Sequence, residues 1–173
     1  DIPIAYGGLR DLPGTSEQSE HTRIRILRVH MEEDVARLIH VPGADDANGP
    51  GGYALMDVNR AGTPLMEVVS EPDIQSSSQA EAYILNLQSI TRYLGVGTAN
   101  MEEGSFRCDA NVSVRPKGSD QLRERVEIKN MNRVRAIVRA VEFEIGRQVD
   151  LYESGETVRQ ETRGWDEGRG VTV

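Results

Sequence analysis

Hydrophobic and polar positions alternate most regularly over Ser105–Arg115. Phe106, Cys108, Ala110, Val112 and Val114 interleave there with Arg107, Asp109, Asn111, Ser113 and Arg115. Period 2 predicts a strand with one packed face and one polar face, stopped by Pro116-Lys117-Gly118. Glu124–Met131 repeats the pattern, with Val126 and Ile128 inward and Arg125, Glu127 and Lys129 outward. Arg23–Glu33 opens on Arg/Ile alternation and reads as a further strand. Tyr53–Asn59 and Leu65–Val69 read as short strands around a turn at Ala61-Gly62-Thr63-Pro64, and Thr157–Arg163 as a late one.

Two stretches switch to the helical period. Ser78-Gln79-Ala80-Glu81 matches a capping box. Tyr83, Ile84, Leu87, Ile90 and Leu94 then form one stripe, with Gly95 as the stop. The second helix is expected to start near Asn132 as N-cap, with Val134, Ile137, Val138, Val141 and Ile145 buried and Arg147 among the charges of a solvated face. Residues 7–21 and 42–52, rich in Gly, Pro and polar side chains, read as loops. Strands interleaved with two helices predict an α+β fold, a mostly antiparallel sheet with helices on one face.

Composition narrows the class. The length of 173 residues suits one domain or a large piece of one. No apolar run approaches the roughly 20 residues of a membrane helix. With 20 Lys+Arg against 28 Asp+Glu the formal charge is −8, which argues against free-standing nucleic-acid binding. It suits metal binding, or a partner that brings the basic surface. The single cysteine, Cys108, excludes a disulfide framework and a Cys-rich zinc site and points to a reducing compartment. The chain opens on Asp1 without a signal-peptide pattern, so a fragment or processed form is expected.

The chemistry is suggested by the polar strand faces. No Walker, Rossmann, zincin or nucleophile-elbow motif is present. Strand residues two apart lie roughly 6.7 Å apart on one face. Arg107, Asp109, Asn111, Ser113 and Arg115 therefore line up, with Glu127 and Lys129 on a neighbouring strand. Glu67 sits between Met66 and Val68, and Glu32 and Glu33 end the strand from Arg23. Carboxylates gathered on one sheet need a divalent cation or basic side chains between them. Mg²⁺ would suit such oxygens and would bridge them to phosphates, with Arg and Lys beside it. The competing reading is a solvated face with cross-strand ion pairs. His21, His30 and His40 are scattered and read as surface or packing residues, Cys108 as a small core residue and Trp165 as a packing anchor. The sequon Asn111-Val112-Ser113 lies inside a strand and reads as unused.

Five blocks carry a family resemblance: LRVHMEED (Leu27–Asp34), NRAGTPLMEVVSEPD (Asn59–Asp73), NMEEGSFRCDANVSV (Asn100–Val114), EIKNMN (Glu127–Asn132) and QETRGWD (Gln160–Asp166). In this order they resemble the GatB family, the second of the subunits that make up the aspartyl/glutamyl-tRNA amidotransferases. The resemblance implies a glutamine-synthetase-like cradle. It also implies ATP and Mg²⁺ as cofactors, and phosphorylation of the side-chain carboxylate of misacylated Glu-tRNA(Gln) or Asp-tRNA(Asn). Ammonia would come from a separate amidase subunit, and a small linker subunit would complete the heterotrimer. On these blocks Glu33, Glu67, Asp109 and Glu127 are the expected metal ligands, with Glu102 and Glu103 behind them. Glu127, Lys129, Asn130 and Arg107 are the expected catalytic group. Arg107, Lys129, Arg60 and Arg163 are expected to hold the cofactor phosphates. Residues 1–173 would then be a partial cradle that lacks the family's N-terminal strands, helical region and tRNA-binding tail, and would be inactive alone. The expected location is a bacterial cytoplasm or an organelle matrix. Two alternatives stay open: another ATP-dependent carboxylate–amine ligase, and a scaffold that docks the amidase without catalysis.

Overall fold

A computed structural model describes residues 3–12, 22–41 and 52–173. They fall in two compact units, one drawn from Asp1–Arg10 and Arg23–Asp73, the other from Asp11–Thr22 and Ile74–Val173. Strands with antiparallel pairing and two helices make the fold α+β, as the patterning predicts.

The first unit is built from β1 (Pro3–Leu12), β2 (Thr22–Glu33), β3 (Arg37–Val41), β4 (Tyr53–Asp57) and β5 (Pro64–Ser70). Their order is β1-β2-β5 in one sheet, with β3-β4 a separate antiparallel pair. β2 runs antiparallel to β5, with His30 opposite Glu67 and Glu33 opposite Pro64. β4 stops at Asp57 rather than Asn59 because the Asp57 carboxylate accepts from the Asn59 backbone N–H at 3.0 Å, which starts a turn. β3 has no counterpart in the sequence reading. Residues 7–12, expected in a loop, belong to β1. One of the glycines that suggest the loop serves the sheet instead: a Cβ on Gly8 would lie 3.2 Å from Ile26 Cβ, a tight contact that would require Ile26 to give by a few tenths of an ångström. The rest of that expected loop, 13–21, and 42–51 of the second lie outside the described residues.

The second unit contains α1 (Ser77–Tyr93), β6 (Ala110–Val112), β7 (Val126–Lys129), α2 (Val134–Glu153), β8 (Glu161–Asp166) and β9 (Val171–Thr172). The sheet order is β6-β7-β8-β9. β6 and β9 pair antiparallel with their neighbours, while β7 and β8 are parallel and joined through α2, as a parallel pair requires. The long strand expected at Ser105–Arg115 is hydrogen-bonded only over Ala110–Val112, opposite the short β7. The alternation outlasts the ladder, for Arg107, Asp109 and Asn111 are exposed while Phe106, Cys108 and Ala110 are half-buried. The late strand is Glu161–Asp166 rather than Thr157–Arg163.

Helix α1 starts two residues earlier than its capping box suggests. Ser76 is the N-cap, and its Oγ accepts from the Gln79 N–H at 3.2 Å. Gln79 Oε1 in turn accepts from the Gln75 N–H at 2.7 Å. The helix ends at Leu94 with Gly95 at φ 68°, where the Gly95 N–H bonds Arg92 O and the Val96 N–H bonds Thr91 O, a Schellman closure. Leu94, expected in the buried stripe, is 64% exposed because it lies in this closure. Ser76→Ala should open the first turn. The loss of about 1 kcal/mol would speed amide exchange there by about fivefold, measured by exchange mass spectrometry.

Helix α2 is capped at Arg133 without a side-chain bond, so Asn132 is not its cap. Its buried face is Ala136, Ile137, Ala140, Glu144 and Gln148; of the expected stripe Ile137 is buried, while Val134, Val138, Val141 and Ile145 are half-buried. Small alanines let the helix lie close, and the two polar side chains find partners beneath it. Gln148 Nε2 donates to Val112 O at 3.0 Å, and Thr172 Oγ1 donates to Glu144 at 2.9 Å. Val126, Ile128 and Ile137 are almost fully buried, each worth about 1.5–3 kcal/mol. Trp165 packs edge-on to Phe143, with ring centroids 6.4 Å apart, the packing anchor its sequence context suggests. Among the described residues no helix is long and apolar enough to cross a membrane.

Candidate functional site

Register sorts the side chains of the four-stranded sheet. Asn111 lies opposite Glu127, and Glu127 opposite Thr162; Lys129 lies opposite Gly164. All of these share the face turned from α2, because Val112, Val126 and Ile128 fill the other one. Asp109 stands one step beyond the ladder and meets Lys129, whose Nζ is 2.9 Å from Asp109 Oδ2 and 3.5 Å from Glu127 Oε1. Thr162 Oγ1 donates to the other Glu127 oxygen at 2.9 Å. The result is an open row of anion, cation and anion, in which Lys129, Asp109 and Glu127 keep 44%, 47% and 33% of their side-chain surface.

The hydrogen bond to Asp109, with the nearby charge of Glu127, holds the Lys129 ammonium above its ordinary range. Lys129 is therefore a permanent cation and a poor general base at neutral pH. Next to it Asn130 adopts φ 66°, a left-handed conformation that asparagine tolerates better than most residues. A Cβ on Gly164 would sit 3.1 Å from Asn130 Nδ2, so the amide rests on a glycine floor at the end of the row. Arg107 is exposed on the extended chain leading into β6. Glu102 and Glu103 lie in the preceding turn, their backbone N–H groups donating to Asn100 Oδ1. Cys108 is no nucleophile: burial, with Asp109 next in effect, pushes its thiol up to about 12.

Arg163 does not join this row. It alternates with Thr162 and lies on the helix-covered face, opposite Ile128. Its guanidinium donates to Thr172 Oγ1, Thr172 O and Glu161 at 2.7–2.9 Å. In this structure Arg163, expected to hold phosphate, pins β9 to β8. Arg147, read as part of a solvated face, is likewise committed, to Glu144.

The first unit carries a separate grouping. One ligand atom from each of His30, Glu32 and Glu67 lies within 4.8 Å of the others. The β2–β5 register explains it, since His30 stands opposite Glu67 and Glu32 is two residues along the same face. Glu33 points from the opposite face, so Glu32 takes the place expected for Glu33 beside Glu67. His30, read as a scattered packing residue, is the centre of the cluster. Its Nδ1 is 3.6 Å from Glu67 Oε2 and its side chain keeps only 12% of its surface. Arg28 Nε donates to His30 Nε2 at 3.0 Å, which places the proton of the neutral ring on Nδ1. The two carboxylates are thus the ready donors for a hard cation, and the imidazole becomes one only if Arg28 turns away. Arg60 is bound to the buried Asp34 at 2.9 Å, beside a turn in which the Asp34 N–H reaches Thr63 O and the Gly62 N–H reaches Asp34 O. That pairing supports the turn before β5.

The His30, Glu32 and Glu67 grouping brings ligand atoms within 4.8 Å of one another, a spacing a hard divalent cation accepts, whereas the Asp109–Lys129–Glu127 row sets a permanent ammonium between two carboxylates. Such a surface is suited to phosphate-bearing substrates and has no activated nucleophile among its described residues. The sequence matches the family model described as the GatB/GatE catalytic domain over residues 1–173. It is 50% identical over its whole length to the GatB-type subunit of the aspartyl/glutamyl-tRNA(Asn/Gln) amidotransferase of Moorella thermoacetica, and covers 35% of that protein. Identity is 52% with the corresponding protein of Dehalococcoides mccartyi, of which the chain covers 34%. With the equivalent subunit of the chloroplastic/mitochondrial glutamyl-tRNA(Gln) amidotransferase of Physcomitrium patens it is 49%, over 31% of that protein. The chain thus spans about a third of the length of these relatives, and it belongs to the GatB/GatE catalytic-domain family.

Proposed function

We propose that this chain forms the carboxylate-activating part of the GatB subunit of a tRNA-dependent amidotransferase, acting on Glu-tRNA(Gln), Asp-tRNA(Asn) or both. The observation that carries the reading is the family match along all 173 residues; the charges of the Asp109–Lys129–Glu127 row are compatible with it. A carboxylate is a poor acceptor of ammonia because its leaving group would be oxide. Attack of the aminoacyl side-chain carboxylate on the γ-phosphorus of ATP releases ADP and leaves an acyl phosphate. Ammonia, delivered by the amidase subunit in a heterotrimer completed by the small linker subunit, then adds to the acyl carbon. Phosphate departs with the C–O electron pair, the nitrogen gives up a proton, and the amide remains.

Two anions must meet in the first step, so the site has to offer positive charge at fixed points. Lys129 supplies one such charge and is held in place from both sides by Asp109 and Glu127. Mg²⁺, when bound, would offset charge on the phosphate oxygens as a Lewis acid. Within the second unit Asp109 and Glu127 are the carboxylates suited to hold such an ion, and within the first unit, taken by itself, Glu32 and Glu67 are. Asn130, and Arg107 from the neighbouring segment, would orient the substrate carboxylate or a phosphate. The negative charge of the chain fits a protein whose grip on tRNA lies in other parts of the full-length polypeptide. The expected setting is a bacterial cytoplasm or an organelle matrix.

The test uses the full-length GatB protein in its heterotrimer with the amidase and the linker. Incubation with γ-labelled ATP and glutamyl-tRNA should give labelled phosphate in step with glutaminyl-tRNA. Amide formation without ATP consumption would sink the reading. Competition by free glutamate at the level of glutamyl-tRNA would turn it toward a general carboxylate–amine ligase.

A further inference from the structure

The parallel pairing of β7 with β8 brings one further side chain into the row. We infer that Thr162 is a positioning residue for Glu127: its hydroxyl holds one carboxylate oxygen so that the other points along the sheet toward Lys129 and Asp109. The inference rests on the reading of Glu127 as a cation ligand given above.

The geometry divides the two oxygens of Glu127 between different tasks. Oε2 accepts from Thr162 Oγ1 at 2.9 Å, while Oε1 lies 3.5 Å from Lys129 Nζ. Glu127 itself is only part-covered, and a glutamate has three side-chain torsions, so packing does not fix where its charge points. The hydroxyl does, because a charge-assisted hydrogen bond fixes the carboxylate plane. Thr162 is in turn well anchored. Its residue pairs directly with Glu127 in the parallel ladder, and β-branching restricts its χ1. The residues on either side, Glu161 and Arg163, are tied to the helix side of the sheet through Arg147 and Thr172. The hydroxyl thus stands on a strand that is held from behind. Removing it should leave the carboxylate present but free to swing, so that a cation meets an unprepared ligand. Partners behind a metal ligand commonly change affinity by 10–100-fold. The exposed position of Thr162 puts the expected effect at the low end.

The experiment measures Mn²⁺ affinity of the full-length GatB protein in its heterotrimer by electron paramagnetic resonance, beside ATP-dependent amide formation and thermal midpoints. Thr162→Val keeps shape and β-branching but removes the donor, and Thr162→Ser restores it. Val should weaken Mn²⁺ binding by about tenfold at an unchanged thermal midpoint, and Ser should return it to near wild type. Glu127→Gln is the control. If it weakens Mn²⁺ binding and Thr162→Val does not, the positioning role is overturned and the reading of Glu127 stands. If Val and Ser are equally impaired and both melt early, Thr162 is merely structural and the inference is again overturned. If Glu127→Gln binds Mn²⁺ as wild type does, the reading of Glu127 falls and the inference falls with it.

Discussion

Glu127→Gln in the full-length GatB protein, within its heterotrimer, should cut ATP-dependent amide formation on glutamyl-tRNA by on the order of 10²–10³-fold. The substitution keeps size and shape and can still accept from Thr162, so what it removes is the charge facing Lys129. Two consequences follow from the row itself. A cation bound as proposed would lose one of its two carboxylates, and Lys129 is left with Asp109 as its one strong anionic neighbour, drawn away from the middle of the row. If the row is the phosphoryl-transfer site proposed above, both act where charge develops, so the loss belongs in kcat. The KM for tRNA should hold within about threefold, because contacts with the nucleic acid are expected elsewhere. Stability should barely move, since Glu127 is a third exposed and surface substitutions typically stay within about 0.5 kcal/mol. Single-turnover formation of labelled phosphate separates the outcomes. A variant that retains more than a third of the wild-type rate would remove Glu127 from the chemistry.

The row on the four-stranded sheet is legible in the sequence because it needs only period 2 along two segments. Asp109 and Asn111 alternate with Ala110 and Val112, and Glu127 and Lys129 with Val126 and Ile128. Once the apolar sets face the core, the polar sets must share the other face. The grouping around His30 is not legible in that way. It depends on which residue of β5 stands opposite His30, and a shift of one position would put Glu67 on the other side of the sheet. Alternation alone does not carry that register, so Glu33 is as good a partner for Glu67 as Glu32 until the pairing is known. The same ignorance of facing hides the role of Arg163. The family resemblance implies phosphate contact there, whereas position parity places it on the face under α2. β1 escapes for a different reason. Glycine is a turn signal by frequency, yet at Gly8 it answers a steric demand set by Ile26 on the adjoining strand. Beyond Ile137, the buried face of α2 escapes because periodicity weighs large apolar residues, whereas the others that fit under this helix are alanines and a polar pair with partners waiting in β6 and β9.

That polar pair should give the largest stability effect in the second unit. Glu144→Ala is expected to cost about 3–5 kcal/mol, the range for breaking a buried ion pair from one side. Glu144 has no exposed surface. It accepts from Arg147 Nη2 at 2.7 Å, Arg147 Nε at 2.9 Å, Gln148 Nε2 at 2.9 Å and Thr172 Oγ1 at 2.9 Å. Alanine leaves these donors facing a void, and Gln148 already carries a buried oxygen without a hydrogen-bond partner. Domains hold only about 5–15 kcal/mol in all, so the variant should sit near the edge of folding. The one tryptophan of the chain, Trp165, lies in this unit against Phe143 and reports urea unfolding directly. Replacing both partners, Glu144→Leu with Arg147→Leu, should recover part of the loss, because no charge is then left buried without an opposite one. The carboxyl also sets an acid limit. Burial alone would raise its pKa, but the bonds from Arg147, Gln148 and Thr172 outweigh burial and hold it below the usual range. A depressed folded value contributes stability above the unfolded pKa of about 4.3 and loses it as pH falls through the folded value. Wild-type stability should therefore drop as pH falls below about 4, while Glu144→Gln, weaker at neutral pH, should show a flatter decline over the same window. Parallel curves for the two proteins would mean that the charge of Glu144 contributes nothing, and that α2 is held to the sheet by shape and neutral hydrogen bonds alone.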